Sequence, residues 1–318
     1  MTLDNILEEI KKAEKIAILT HELPDGDAVG SSLAIMFALK SLGKKPDVII
    51  PSYSSCFKFL PGISETKRET DVEKYDLAIA LDCADNKILC GNKEYFEKAK
   101  SKIVIDHHSS NKMYGDINFV NPVSPACCEV LVGMFDYLKI DITKDIGTCL
   151  ITGILTDTGG FNYNTTPETF DFAAMLARKG IKISEVYQKA LKTKTKANFE
   201  LNRISDDRLE FLENGRIAFT YITAEDEENV NAEIGDHEGI VEKGRDIEGV
   251  EVSIFLHQVK DKPNGFKISL RSKEYVNVSD VCMMFGGGGH IRAAGAYMIG
   301  DVKQIKEKLI AEIRKQLK

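Results

Sequence analysis

No run of about 18 or more apolar residues occurs in the 318-residue sequence, which leaves no candidate for a membrane-spanning helix. The opening MTLDNILEEIKKAEKIAILT carries acidic and basic residues through an amphipathic stretch, so it reads as a first helix and not a signal peptide. Basic charge is not in surplus. A formal net charge of −7 argues against gripping long duplex nucleic acid through a broad basic face. A nucleotide or a short nucleic acid could still occupy a local positive pocket. The seven cysteines, Cys56, Cys83, Cys90, Cys127, Cys128, Cys149 and Cys282, form no C-x-x-C pair. An odd count without such pairs suits neither a disulfide framework nor a structural zinc site, and predicts free thiols in a reducing cytoplasm. Internal repeats and low-complexity segments are missing too.

What is present is the balance of a soluble globular protein, 43% hydrophobic and 29% charged, over a length sufficient for two domains. Short apolar runs at Ile16–Thr20, Asp47–Ile50, Leu77–Leu81 and Ile103–Ile105 alternate with helical patterns at Ala28–Leu42, Glu129–Leu138, Asp145–Leu155 and Pro167–Arg178. This alternation predicts an α/β domain of βαβ units around a parallel sheet, over residues 1–190. The stretch LKTKTKANFELNRISDD is polar and charged, so residues 191–208 read as a connector with some helix at its end. Residues 209–318 are strand-rich. Leu209–Leu212 and Arg216–Ile222 flank an Asn214-Gly215 turn, a strong hairpin signal, and Val250–His257 with Gly265–Leu270 forms a second pair. A glycine-rich loop, a strand near Ala296–Ile299 and a helix from Val302 complete the chain.

Acidic residues and histidines gather where the first-domain strands end. His21, Asp25 and Asp27 follow IAILT, Asp82 ends LAIAL, and Asp106, His107 and His108 end IVI. In an open parallel sheet the carboxyl ends of the strands share one edge, where ligands bind. Asp157, after a buried-looking segment, can join them. Taken alone, Asp-Gly-Asp is an ordinary turn in which Asp27 could cap the following helix, and tandem histidines could be a surface accident. Their joint place on one rim changes that. The carboxylates of Asp25, Asp27, Asp82 and Asp157 repel one another, each pair about 4 Å apart costing roughly 4 kcal/mol at an effective dielectric of about 20. Two divalent cations would cancel the formal charge, and oxygen-rich ligation with imidazole favours Mn²⁺ or a similar ion.

The segments HELPDGDAVGSSLA, LDCAD, IDHHSSN and LTDTGGF resemble, in order and spacing, the four signature motifs of the DHH phosphoesterase family. FGGGGHIRAAGA resembles the glycine-rich motif of the associated DHHA1 domain. The resemblance spans nearly the whole chain and is greatest to the nanoRNase branch. It implies a DHH domain followed by a smaller α/β DHHA1 domain with a mixed sheet, and an active site in the cleft between them. It also divides the ligands: His21, Asp25 and Asp82 for one metal; Asp27, Asp82, His107 and Asp157 for the second, with Asp82 bridging. The ions are usually Mn²⁺, with Mg²⁺ or Co²⁺ as alternatives. His108 is expected to contact the phosphate or protonate the leaving oxygen, Asp106 to orient His107, and Asp85 and Asn111 to stand behind the site or face substrate.

Gly286–Gly289 before His290 is not a P-loop, since no Lys-Ser or Lys-Thr pair follows. Four glycines do allow backbone N–H groups to cradle an anion, Gly288 and Gly289 among them; a flexible hinge is the plainer alternative. By resemblance to DHHA1 domains, Arg271, Ser272 and His290 hold the terminal phosphate of the substrate. The expected activity is hydrolysis of short oligoribonucleotides to 5′-mononucleotides, with dephosphorylation of 3′-phosphoadenosine-5′-phosphate as a second reaction. A phosphodiesterase for cyclic dinucleotides or their linear products would use the same catalytic residues. An inorganic pyrophosphatase is disfavoured by the partial Arg271-Ser272-Lys273 pattern. The expected protein is cytoplasmic and engages no membrane, and exposed surfaces on its first domain could pair two copies into a homodimer.

Overall fold

Five short runs rich in Ile, Val, Leu and Ala become strands: β1 (Ile16–Leu19), β2 (Asp47–Ile49), β3 (Leu77–Leu81), β4 (Ser101–Asp106) and β5 (Ile117–Val120). Every residue of β1 and β3 is buried, which requires cover on both faces of the sheet. All five strands are parallel, in the order β2-β1-β3-β4-β5. Winding therefore reverses between β1 and β3, and this reversal opens a crevice at their carboxyl ends. The computed structural model describes residues 2–318, the side chain of Cys90 excepted, and the chain divides into two units between Thr193 and Lys194.

Helices α1 (Thr2–Lys12), α2 (Gly26–Ser41), α3 (Lys93–Lys98), α4 (Cys127–Leu138), α5 (Lys144–Asp157), α6 (Pro167–Arg178) and α7 (Ile183–Tyr187) belong to the first unit. The alternation along the strands sorts the cover. Ile16, Ile18, Ile79 and Leu81 join the larger core with residues of α1, α2, α4 and α5. Ala17, Ala78 and Ala80 face the other way, beneath Tyr75 and Phe96. Helix α2 is buried on nearly every side, as its small residues Gly30, Ser31, Ser32 and Ala34 allow. Ser32 Oγ donates to the Ala28 carbonyl at 2.7 Å, so the hydroxyl is not buried unsatisfied. At Gly30 a Cβ would meet the Cys149 carbonyl, and at Gly153 it would run into Asp27 and Cys128. Close approach of α2 to α5 thus depends on glycine, and it brings Asp157 toward Asp27.

The second unit holds α8 (Lys196–Asp207), β6 (Glu210–Leu212), β7 (Ile217–Ile222), α9 (Ala224–Asn229), α10 (Ile240–Arg245), β8 (Val252–Gln258), β9 (Gly265–Ser272), α11 (Val278–Met283), β10 (Gly288–His290), β11 (Ala293–Ile299) and α12 (Val302–Arg314). Its mixed sheet runs β10-β11-β9-β8-β7-β6, with β7 and β8 parallel and the other pairs antiparallel. Ile217, Phe219, Ile254 and Ile268 pack with α11 and α12, while Leu201, Ile222, Ile240 and Phe255 form a core on the opposite face with α8 and α10. Most of the stretch read as a connector is α8, capped by the Thr195 hydroxyl and docked through Leu201. The Asn214-Gly215 turn joins β6 to β7, with Glu213 and Asn214 both at positive φ. Cys83, Cys127, Cys128, Cys149 and Cys282 carry free thiols; the thiol of Cys90 lies outside the described residues. Among the described residues no helix is long and apolar enough to cross a membrane.

Candidate metal centre

The residues that follow β1, β3 and β4 converge at the crevice. Asp25 is the N-cap of α2, and its Oδ1 accepts the backbone N–H groups of Asp27 and Ala28 at 3.0 Å each. Asp27 does not cap its own helix, contrary to the simplest reading of Asp-Gly-Asp. Its buried carboxylate crosses to the start of α4, where Oδ2 accepts from Cys127 N at 2.5 Å and Oδ1 from Cys128 N at 2.8 Å. The positive end of a helix offers these donors to an anion.

Asp82 is 3% exposed and sits at φ +53, a left-handed conformation that Asp tolerates better than most residues. His21 Nε2 lies 3.9 Å from its Oδ2. His107 Nε2 lies 3.3 Å from Asp82 Oδ1, 3.4 Å from Asp157 Oδ2 and 4.0 Å from Asp27 Oδ2. On the other side of the ring, His107 Nδ1 faces the Ser124 carbonyl at 3.2 Å. A carbonyl only accepts, so that contact puts a proton on Nδ1 and turns the Nε2 lone pair toward the carboxylates. Asp157 is the last residue of α5, at the negative end of a helix, where a carboxylate is disfavoured unless a cation sits beside it.

Electrostatics report the same crowding. Burial and then the Asp82 charge push Asp27 up to about 7. Burial, followed by Asp27, Asp25 and Asp82, drives Asp157 well above the carboxylate range. For His107, burial disfavours the charged ring, yet the adjoining Asp82 and Asp27 outweigh it and raise the imidazole to about 10. Asp82 is also buried at a cost, but His107, His108 and His21 hold it below the usual range.

Two buried atoms here, Asp82 Oδ1 and His107 Nε2, have no hydrogen-bond partner although they face each other. Buried polar atoms left unmatched in this way call for a ligand. Donor atoms of His21, Asp25 and Asp82 lie within 4.8 Å of one another, as do those of Asp27, His107 and Asp157. Two adjoining oxygen- and imidazole-rich sets fit divalent cations.

Asp106 departs from expectation. Its Oδ1 binds His108 Nδ1 at 2.8 Å and its Oδ2 accepts Asn111 Nδ2 at 2.6 Å, so it orients His108 and leaves His107 to Ser124. Asn111 is thereby held under the His108 loop. Asp85 closes a local turn by accepting Lys87 N at 3.0 Å.

In the second unit Arg271 Nε pairs with Glu242 at 2.9 Å, and its Nη1 donates to the Leu270 carbonyl. Ser272 does not fit a phosphate-binding role: it is buried and its hydroxyl donates to the Val276 carbonyl at 2.6 Å. Gly288 and Gly289 lie in β10, paired to Gly295 and Ala294, and His290 is exposed at the strand's end. A Cβ at Gly289, where φ is +145, would strike the backbone of Ala293 and Ala294. These glycines therefore serve close strand pairing, and neither a loose hinge nor an open anion cradle describes them. Ser124, which fixes the His107 ring, carried no motif in the sequence; only the fold brings it there.

Comparison with known proteins shows the family. Residues 15–154 match the DHH family, N-terminal domain, and residues 214–318 match the DHHA1 domain. A Thermus thermophilus protein named bifunctional oligoribonuclease and PAP phosphatase NrnA is 35% identical, over 98% of this chain and 94% of its own length. A protein of the same name from Mycoplasma genitalium is 29% identical over 95% of this chain and 93% of its own. The crystal structure of an exopolyphosphatase-related protein from Bacteroides fragilis superposes with a TM-score of 0.90 and 27% identity, covering 99% of this chain and 96% of that one.

Proposed function

This chain belongs to the DHH family and carries a DHHA1 domain, and from that premise we propose that it hydrolyses short oligoribonucleotides to 5′-mononucleotides and removes the 3′-phosphate of 3′-phosphoadenosine-5′-phosphate. The observation that carries the reading is the convergence of His107 Nε2 on Asp82 and Asp157, with two polar atoms buried and unmatched. His21, Asp25 and Asp82 would hold one divalent ion, and Asp27, Asp82, His107 and Asp157 the other, Mn²⁺ being the preferred metal. When bound, such a pair would supply a water of lowered pKa and would neutralise phosphoryl oxygens.

The chain's own groups do the rest. Ser124 fixes the tautomer of His107. Asp106 binds Nδ1 of His108; burial opposes charge on that ring, but Asp106 and Asp82 outweigh it and raise its pKa. Nε2 of His108 is then the ring nitrogen that delivers a proton to the leaving oxygen. Asn111 keeps Asp106 in register. Arg271 and His290 are assigned to a substrate phosphate, which Arg271 meets by exchanging its Glu242 partner.

Purified protein given Mn²⁺ and a panel of di- to pentaribonucleotides, 3′-phosphoadenosine-5′-phosphate, a cyclic dinucleotide and pyrophosphate tests the reading. Turnover of the first two classes, lost on chelation, is expected. Turnover of pyrophosphate alone overturns the assignment.

A further inference from the structure

Six histidines occur in the sequence, and the motifs above account for His21, His107, His108 and His290. The remaining two, His237 and His257, meet in the second unit. His257 stands near the end of β8, Glu227 on α9, and His237 in the loop between α9 and α10. His257 Nε2 is 3.0 Å from Glu227 Oε1, and the two imidazole rings are 4.4 Å apart at a tilt of 38°. One donor atom from each of the three residues lies within 4.8 Å of the others.

The cluster is braced from behind. Asn198 Nδ2 donates to the carbonyls of Asp236 and Glu238, on either side of His237, at 2.8 and 3.0 Å. Asp236 accepts the Thr195 hydroxyl at 2.6 Å and Glu233 N at 2.7 Å. Helix α9 is fixed through Asp226, which completes a capping box with Thr223 and pairs with Arg208. Phe255, buried on the same strand as His257, lies 6.4 Å from the His237 ring and stacks on it. The polar atoms of the His237 ring nonetheless have no hydrogen-bond or ion-pair partner among the described residues, within a cluster whose other two side chains are only 15% and 22% exposed. Lys267, opposite His257 in the β8–β9 register, is exposed to solvent.

We propose that Glu227, His237 and His257 form a second, separate metal site, one that takes a single Zn²⁺-class ion and ties the loop bearing His237 to β8. Two imidazoles and one carboxylate are a known zinc donor set, with a fourth position left for water. The set differs in kind from the first centre. Nitrogen-rich ligation ranks Zn²⁺ and Co²⁺ above Mn²⁺, whereas the carboxylate-rich crevice suits the harder ion. The chain would therefore hold metals of two classes in its two units. Because donors come from a helix, a loop and a strand, binding would stiffen a segment of residues 230–239 that has little regular structure of its own.

The test uses the full chain. Asp82→Asn protein, with the first centre impaired, is titrated with Co²⁺ and followed by visible absorption, and zinc content is measured after equilibration with Zn²⁺ and desalting. About one equivalent of retained zinc and a four-coordinate Co²⁺ spectrum are expected, both lost when His237→Gln and His257→Gln are added. In otherwise native protein those two substitutions should leave Mn²⁺-dependent turnover unchanged and lower total zinc by about one equivalent. Glu227→Gln, which keeps size and a hydrogen-bond acceptor for His257, serves if the histidine variants fail to fold; its zinc affinity should fall at least about tenfold. Equal zinc content in native and variant chains, or a Glu227→Gln chain of undiminished affinity, overturns the site.

Discussion

Asp27 Oδ2 receives the backbone N–H of Cys127 at 2.5 Å, across a separation of 100 residues in the chain. One carboxylate thus closes the start of α4 and lends its charge to the crevice. Asp27→Ala would strand the Cys127 and Cys128 N–H groups in a buried place, at a cost of roughly 1–3 kcal/mol each less any rescue by water. The variant should unfold at lower denaturant in metal-free buffer and also lose turnover. A Cys127 amide that keeps its protection from hydrogen exchange in Asp27→Ala would contradict the capping role.

Asp82 has the opposite profile. Its charge attracts His107 but repels Asp25, Asp27 and Asp157, so the stability effects of removing it offset one another, while both proposed ion sites share it. Asp82→Asn, which tolerates positive φ, should retain the native melting temperature within a few degrees and lose turnover by more than about 1,000-fold. Asp82→Ala should cost about 1 kcal/mol more, from left-handed backbone strain. Chemical denaturation beside single-turnover assays distinguishes the two effects.

Proton linkage gives a signed expectation. Folded Asp27, pushed up to about 7 mainly by burial, holds its proton above the range where the unfolded chain loses it. Metal-free protein therefore loses stability as pH climbs from the ordinary carboxylate range through about 7. His107, raised to about 10 because Asp82 and Asp27 outweigh its burial, contributes stability that is complete below its ordinary 6.5 and vanishes as pH passes about 10. Both slopes have one sign. Melting of the metal-free chain should fall across this window, added Mn²⁺ should reverse the trend, and binding near neutrality should release about one proton or more. Calorimetry in buffers of differing ionisation enthalpy counts those protons; none released would refute the linkage.

Asp106→Asn should leave metal content near native while lowering kcat by about 10²–10⁴-fold. Asp106 supports the charged form of His108, so its loss lowers that pKa and moves the alkaline limb of the pH–rate profile toward lower pH. An unmoved limb would remove His108 from the role of proton donor.

Much of this site was legible in the strand ends. IAILT, LAIAL and IVI are short apolar runs in a βαβ context, so the acids and histidines after them had to share an edge. Asp157 was legible only as a carboxylate after a buried-looking segment, its share of the ligands coming from resemblance, because its position depends on how α2 crosses α5 at Gly30 and Gly153. The double use of Asp27 was hidden for the same reason: nothing near residue 27 announces a helix start a hundred residues later. Asp106 was assigned to the wrong neighbour because adjacent side chains after a strand turn different ways, and only coordinates say which ring each oxygen meets. Strand β5, INFV, is short and partly exposed along its length, too weak a pattern to stand out. Helix α8 was obscured by the lysines and threonines that precede it and by its own polar residues, since Leu201 is its one fully buried apolar residue.

The placement of Asp157 at the close of α5 also bears on synthesis. A growing chain exposes His21 first and Asp157 only after most of the first unit has left the ribosome. Until that last carboxylate arrives, the charges already assembled have no complete cage for their cations. A prematurely terminated product would carry the early motifs and still lack a carboxylate of the proposed metal set, so a chain cut before Asp157 should retain fewer cations than the whole protein.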